Sequence, residues 1–183
     1  NQKAAELLRD RLIDVARVLG ITARAVISDG SQPVGRGIGP SLEALDVLAV
    51  LQNDAHAPDD LRARSLALAG GLLELAAVAD SGQGQHVARG VLEDGLAWRK
   101  FQAICEAQGG MRMPPRAKHT RAISAQHAGR VTAIDNRLLA RAAKLAGAPD
   151  AKAAGLVMHV RVGDNVTRGQ PLFTLHAENS GEL

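Results

Sequence analysis

The chain has 183 residues, a net charge of +3 at neutral pH and a hydrophobic fraction of 46%. These values are typical of a folded globular protein with one domain or two small ones, and they exclude a disordered chain. With two Phe, one Trp and no Tyr, the composition argues against a stacking platform for single-stranded nucleic acid.

A single cysteine, Cys105, rules out a disulfide framework within the chain and fits a reducing cytoplasm. The residue lies in the apolar stretch FQAICEAQ without a local histidine to activate it, so we expect it to pack rather than react. No run approaches the ~18 apolar residues of a membrane span. Because the chain starts with Asn1 instead of Met, inside a helical pattern, we expect a fragment of a longer protein.

The first part of the chain predicts helices around one short strand. The helices are predicted over residues 2–19, 40–53, 57–79, 86–92 and 96–108. The segment Ala23–Ser28 predicts a buried strand, and a helix, a strand and a glycine turn in succession are typical of an α/β layer. On the last helix, Trp98 and Phe101 share a face with Cys105, and we expect that face to be core.

Adjacent prolines and clustered charge over residues 111–124 predict a linker between two domains, at 1–110 and 125–183. Its basic run, Arg112–Arg121, is open to a second interpretation as a phosphate-binding patch. The order of elements favours an α/β layer for the first domain, and we expect the second to be a small, mainly β module with one inserted helix.

The second domain is predicted to contain three strands and one helix. Residues 129–134 predict a strand, and residues 135–147 predict a helix with Asp135 or Asn136 as its cap. Residues 156–177 predict two more strands, with turns at Gly163 and Gly169.

Three glycines spaced by two, at positions 35, 37 and 39, precede a predicted helix in the stretch SDGSQPVGRGIGPSLEALDVL. Backbone N–H groups that converge at a helix N-terminus can bind phosphate. The stretch lacks the Lys and Ser/Thr of a P-loop, however, and Pro40 and Leu42 break the dinucleotide-binding spacing. Ligand contact and close backbone packing are therefore both open at these glycines.

The histidines give no sharper signal. None of the six is spaced as a zinc ligand, and no Ser/His/Asp grouping can be assembled from the spacing. His159 and His176 lie on predicted strands, where a hydrogen-bonded or exposed histidine is the ordinary case.

The stretch VRVGDNVTRGQPL resembles the second half of biotinyl and lipoyl carrier domains, which favours a barrel-sandwich-hybrid-like fold. A carrier also needs an exposed hairpin lysine to which the cofactor is attached. Lys144 and Lys152 instead lie in Ala-rich helical or loop sequence, which argues against that function. A non-enzymatic binding module on this fold is an alternative.

Two segments together resemble the pyrimidine-nucleoside phosphorylases, a family that includes thymidine phosphorylase and the related AMP phosphorylases. They are the glycine-rich stretch quoted above and AKLAGAPDAKAAGLVMHVRVGDNVTRGQPLFTLHA. The resemblance implies an α+β chain, in which the helical remainder of an α/β domain is followed by a barrel-sandwich-hybrid-like α+β domain. It also implies a cytoplasmic homodimer with no nucleic-acid or membrane partner.

The activity that this resemblance implies is reversible phosphorolysis of thymidine or another pyrimidine nucleoside, with inorganic phosphate as co-substrate and no organic cofactor. The phosphate-binding and pyrimidine-binding motifs of the family do not occur in this chain. We therefore expect the catalytic residues upstream of Asn1 and expect the fragment to be inactive alone. A fragment of an AMP phosphorylase is the alternative within the family.

The resemblance also implies a monovalent cation site. Relatives with such a cation bind it through backbone carbonyls of this turn, a carboxylate on the following helix and the phosphate loop. The corresponding positions are the carbonyls of Val34 and Gly37 and the carboxylate of Asp46. Family members often have Glu where this chain has the shorter Asp46. The alternative is that Asp46 is a polar residue on the solvent face of its helix.

Overall fold

The computed structural model describes residues 2–183, and the chain is an α+β protein, as predicted. The helices are α1 (Gln2–Val18), α2 (Pro40–Leu51), α3 (Asp59–Leu75), α4 (Gly84–Glu93), α5 (Leu96–Ala107) and α6 (Asn136–Leu145). The strands are β1 (Gly37–Ile38), β2 (His119–Ser124), β3 (Gly129–Arg130), β4 (Gly155–Met158), β5 (Asn165–Val166) and β6 (Pro171–Ala177). None of the helices within residues 2–183 has both the length and the apolarity needed to cross a bilayer.

Four strands form an antiparallel sheet in the order β1–β4–β6–β2, and β3 pairs with β5 in a separate two-stranded sheet. The central strand β4 pairs on one side with β6, where Leu156 is opposite Leu175, and on the other with β1, where it is opposite Ile38. The strand β1, which comes from the glycine-rich stretch of the sequence, is thus an edge strand of this sheet. The other three strands of the sheet lie more than 80 residues later in the chain.

The core of this sheet is aliphatic, as the scarcity of aromatic residues requires. Leu156 is completely buried, and α6 contributes Leu139 and Ala143 to the same cluster. Asp135 caps α6, because its carboxylate accepts hydrogen bonds from the backbone N–H groups of residues 137 and 138. This agrees with one of the two caps that the sequence predicted.

The chain divides into two compact units. One consists of the residues up to Gly30 together with Arg64–Gly90, and the other consists of Ser31–Ala63 and Val91–Leu183. In the first unit, Gly70 of α3 lies against the backbone at the start of α4, where a Cβ atom would be 2.5 Å from the nitrogen of Gln85. The domain boundaries predicted from the sequence stay a prediction.

Several predicted elements are wrong or incomplete. The segment Ala23–Ser28 is irregular and exposed rather than a buried strand, and no parallel strand pair occurs among residues 2–183. An extended apolar run becomes a strand only when a partner strand pairs with it, and that pairing is not a local property. For the same reason, the sequence missed β2, which takes His119–Ser124 out of the predicted linker by pairing with β6.

The β module differs from its prediction in two further places. The predicted strand over residues 129–134 is reduced to β3, since only Gly129 and Arg130 pair with β5. The region 156–177 contains three strands instead of two, because the chain leaves the four-stranded sheet after β4 and returns to it as β6.

The aromatic pair on α5 is only partly core. The rings of Trp98 and Phe101 are stacked with their centroids 5.9 Å apart, and Cys105 is half-buried like both of them. No residue of α5 is fully buried, which corrects the expectation of a core face.

Candidate functional site

The candidate site is built around the glycine-rich turn, which comprises Gln32–Gly37 and leads through β1 into α2. Asp46 lies on α2 and is buried, with 8% of its surface exposed. Its Oδ2 oxygen accepts hydrogen bonds from the backbone nitrogens of Arg36 at 2.6 Å and Gly37 at 2.8 Å. The interpretation of Asp46 as a residue on the solvent face of the helix is therefore wrong, because the turn covers its carboxylate.

Close backbone packing accounts for the three glycines of the motif. A Cβ atom at Gly35, whose φ is +78°, would lie 3.0 Å from the carboxylate of Asp46. At Gly37 it would overlap the backbone of Leu42, and at Gly39 the carbonyl oxygen of Ala154. These contacts support the packing interpretation that the sequence left open, since any side chain here would push the turn off α2 or β4.

A second set of contacts comes from the segment that follows β4. The guanidinium of Arg161 donates to the carbonyl oxygens of Pro33 at 2.9 Å and Gly35 at 2.6 Å. The same group forms a 3.0 Å ion pair with Asp60, whose carboxylate also accepts from the backbone nitrogen of Gly35 at 3.2 Å. The side-chain oxygen of Gln32 accepts from the backbone nitrogen of the next residue, Val162, at 2.8 Å.

The three residues expected to bind a cation lie together. Val34, Gly37 and Asp46 line one cleft of about 440 Å³ between α2 and α6. The remaining lining residues are Pro33, Ile38, Glu43, Val47, Leu61, Asn136 and Ala140.

The strand pairing sets the direction of the Gly37 carbonyl. The backbone nitrogen of Met158 donates to the oxygen of Arg36, and Gly37 is opposite Val157 in the register. Hydrogen-bonded and non-hydrogen-bonded pairs alternate along an antiparallel ladder, so the N–H and the carbonyl of Gly37 both point away from β4. The N–H reaches Asp46, and the carbonyl lies on the same side of the strand.

Arg36 places a positive charge beside the carboxylate of Asp46 at this cleft. Arg36 donates to the carbonyl oxygen of His56 at 2.8 Å, and its guanidinium lies 3.6 Å from Oδ1 of Asp46. Among residues 2–183, no group of three or more His, Cys, Asp and Glu side chains could hold a metal ion. The cleft is lined by two carboxylate residues, Glu43 and Asp46, and by no His or Cys among the lining residues given above.

Two histidines of the β module, His159 and His176, interact electrostatically. His159 lies just beyond the end of β4, which corrects its placement on a strand, and its Nε2 atom is 2.7 Å from the hydroxyl of Thr174. His176 lies on β6, where burial and, to a smaller extent, the nearby His159 lower the pKa of its imidazole.

Sequence reasoning missed Asp60, Gln32 and Arg161 as members of the site. Asp60 lies in the first turn of α3, and Arg161 lies in the stretch VRVGDNVTRGQPL, whose glycines alone were predicted to have a structural role. Arg161 contacts carbonyls 126 and 128 residues earlier in the chain, so no local pattern could have linked the two segments.

Comparison with known proteins agrees with the family that the motifs suggested. Residues 130–183 match the family model described as the pyrimidine nucleoside phosphorylase C-terminal domain. A protein of Acidovorax sp. (strain JS42) named "Putative thymidine phosphorylase 1" is 60% identical over 181 residues, which cover 99% of this chain and 35% of that protein.

Two further relatives carry the name "Putative thymidine phosphorylase". The protein of Chelativorans sp. (strain BNC1) is 58% identical over 182 residues, covering 100% of this chain and 36% of its own length. The protein of Legionella pneumophila (strain Corby) is 53% identical over 183 residues, which cover 100% of this chain and 35% of that protein. The chain thus spans little more than a third of the length of these curated relatives. By its C-terminal domain and by this identity along its whole length, the chain belongs to the pyrimidine nucleoside phosphorylase family.

Proposed function

We propose that this chain is the C-terminal part of a thymidine phosphorylase, a pentosyltransferase of the cytoplasm that acts as a homodimer. Inorganic phosphate attacks C1′ of the nucleoside, the glycosidic bond breaks, and the products are the free base and (deoxy)ribose 1-phosphate. The observation that carries this proposal is the 53–60% identity to proteins of that name along the whole chain.

In such a reaction, catalysis depends on holding phosphate beneath C1′ and on stabilising the departing base anion. The motifs that would make these contacts do not occur in this sequence. We therefore assign no catalytic residue to it and expect the 183 residues to be inactive alone.

The part of the reaction that we assign to this chain is a monovalent cation site. The carbonyl oxygens of Val34 and Gly37 and the carboxylate of Asp46 would hold the cation, and the phosphate-binding part of the protein would complete its shell. Oδ2 of Asp46 already accepts two backbone N–H groups, which fixes the carboxylate in place. A cation bound there would supply fixed positive charge that balances the phosphate dianion.

The experiment that tests the activity is phosphate-dependent release of free base from thymidine, uridine and AMP. The 183-residue chain and the full-length gene product are assayed in parallel, with and without inorganic phosphate. We expect release from thymidine by the full-length protein alone. Release of base from AMP alone would indicate that the full-length protein is an AMP phosphorylase. Turnover by the 183-residue chain would contradict our placement of the active site outside it.

A further inference from the structure

Arg161 is a charged residue of the β module whose guanidinium contacts the glycine-rich turn. Its two terminal nitrogens donate to the carbonyls of Pro33 and Gly35, and its side chain is only 27% exposed. A guanidinium is planar and rigid, so two such hydrogen bonds fix the directions of both carbonyls at once. A lysine ammonium on its flexible stem lacks this fork.

The positive charge of Arg161 is balanced locally. Asp60 lies 3.0 Å from the guanidinium and also accepts a hydrogen bond from the backbone nitrogen of Gly35. Both polar backbone groups of Gly35 are thus held by the same ion pair. Because the two charges compensate each other, the main effect of Arg161 on a neighbouring cation is geometric rather than repulsive.

The turn needs an external constraint of this kind. Gly35 has a φ of +78°, and glycine populates positive and negative φ about equally, so the local sequence does not select one conformation. Arg161 donates hydrogen bonds to the carbonyl oxygens of Pro33 and Gly35, and the backbone nitrogen of Met158 donates to the carbonyl oxygen of Arg36. None of these donors uses the carbonyls of Val34 and Gly37, two residues that line the cleft with Asp46.

We propose that Arg161 is a positioning residue of the cation site: it orients the glycine-rich turn so that the carbonyls of Val34 and Gly37 converge with the carboxylate of Asp46. This inference rests on the proposed cation site. The affinity of the site for a monovalent cation therefore depends on a side chain of the β module that does not itself touch the cation.

The test measures the thermal unfolding midpoint of the full-length protein as KCl replaces choline chloride at constant ionic strength. The variants are Arg161→Met, Arg161→Lys and, as a matched control, Arg168→Met. Arg168 lies on an exposed turn of the same module and loses the same charge when it is substituted. We expect potassium to raise the midpoint of the wild type and of the control at the same KCl concentration.

For Arg161→Met we expect the potassium concentration at half-maximal stabilisation to rise about tenfold or more, as for the loss of one hydrogen bond to a charged group. For Arg161→Lys, the potassium concentration at half-maximal stabilisation should lie between the values for Arg161→Met and the wild type. The lysine variant tests the proposal even if the methionine variant does not fold. A general loss of stability would lower every midpoint without moving the potassium dependence.

An unchanged potassium dependence in both Arg161 variants would overturn the proposal. A wild type without any response to potassium would overturn the cation site with it, whereas phosphorolysis itself is tested separately by base release. If activity is present, the potassium requirement for kcat/KM should shift in Arg161→Lys in parallel with the unfolding midpoint.

Discussion

The backbone N–H of Gly37 donates a 2.8 Å hydrogen bond to the carboxylate of Asp46, which lies nine residues later and is buried on α2. The N–H of Arg36 donates to the same oxygen at 2.6 Å. This one carboxylate oxygen therefore closes the glycine-rich turn against the helix that follows it.

Substitution of Asp46 tests how much this closure contributes to stability. Asp46→Ala leaves two N–H donors without their acceptor, and we expect it to lower the free energy of unfolding by about 2–4 kcal/mol. Asp46→Asn can place its amide oxygen where both N–H groups converge, so its loss should be about 1 kcal/mol. Urea denaturation measures both, with exposed Asp150→Asn as the control. Equal losses in the alanine and asparagine variants would contradict this reading of the contact.

Adjacent glycines of α3 predict opposite effects of the same substitution. A Cβ atom at Gly70 would collide with the backbone of Gly84 and Gln85, whereas one at Gly71 would meet no atom within 4 Å. Gly71→Ala should raise the free energy of unfolding by about 0.5–1 kcal/mol through helix propensity. Gly70→Ala should lower it by about 2 kcal/mol or more, because α3 and the start of α4 must separate.

The two glycine variants are controls for each other, because both replace a glycine with alanine in the same helix. Thermal unfolding followed by circular dichroism gives the comparison. If both substitutions raised the midpoint, the close approach of the two backbones would be incorrect.

His176 gives a prediction for the pH dependence of stability. Burial, and secondarily His159, lower the pKa of His176 in the folded protein below its unfolded value. The unfolded chain then binds the proton first as the pH falls, so stability decreases below about pH 6.5, the ordinary pKa of histidine. Replacing His176 with Asn should reduce this decrease in stability at low pH. Unfolding midpoints measured between pH 5 and pH 8 would show the difference.

The control for this experiment is His127→Asn, which removes an exposed histidine from the same module. It should leave the slope below pH 6.5 as in the wild type. A slope that survives the His176 substitution would assign the acid sensitivity to other groups.

The cap of α6 predicts a smaller and more local effect. The Asp135 carboxylate accepts from the nitrogens of Arg137 at 2.9 Å and Leu138 at 3.1 Å. Asp135→Ala should lower the free energy of unfolding by about 1 kcal/mol, whereas Asp135→Ser should keep most of the stability because serine also caps helices. Chemical denaturation of both variants decides this, and an alanine variant as stable as the serine variant would contradict it.

Local chemistry predicted the helices better than the strands. The cap at Asp135 and the proline at position 40, in the first turn of α2, mark helix starts that the structure confirms. The apolar run around Val26 and Ile27 predicted a strand where there is none, and the basic run that ends in β2 concealed one. Helix capping involves neighbours in the chain, whereas strand pairing involves partners that the local sequence does not contain.

The sequence by itself determined the family, the α+β composition and three of the residues that line the cleft, Val34, Gly37 and Asp46, because these depend on motifs and on the order of residues along the chain. The burial of Asp46 and the contact of Arg161 with the turn were decided only by the tertiary structure. Both depend on β1 pairing with β4 across more than 100 residues, and that pairing brings Arg161 within hydrogen-bond distance of Pro33 and Gly35. A contact between residues so far apart in the chain carries an entropic cost of loop closure that the long-range pairing of the fold must offset, so no local sequence pattern predicts it.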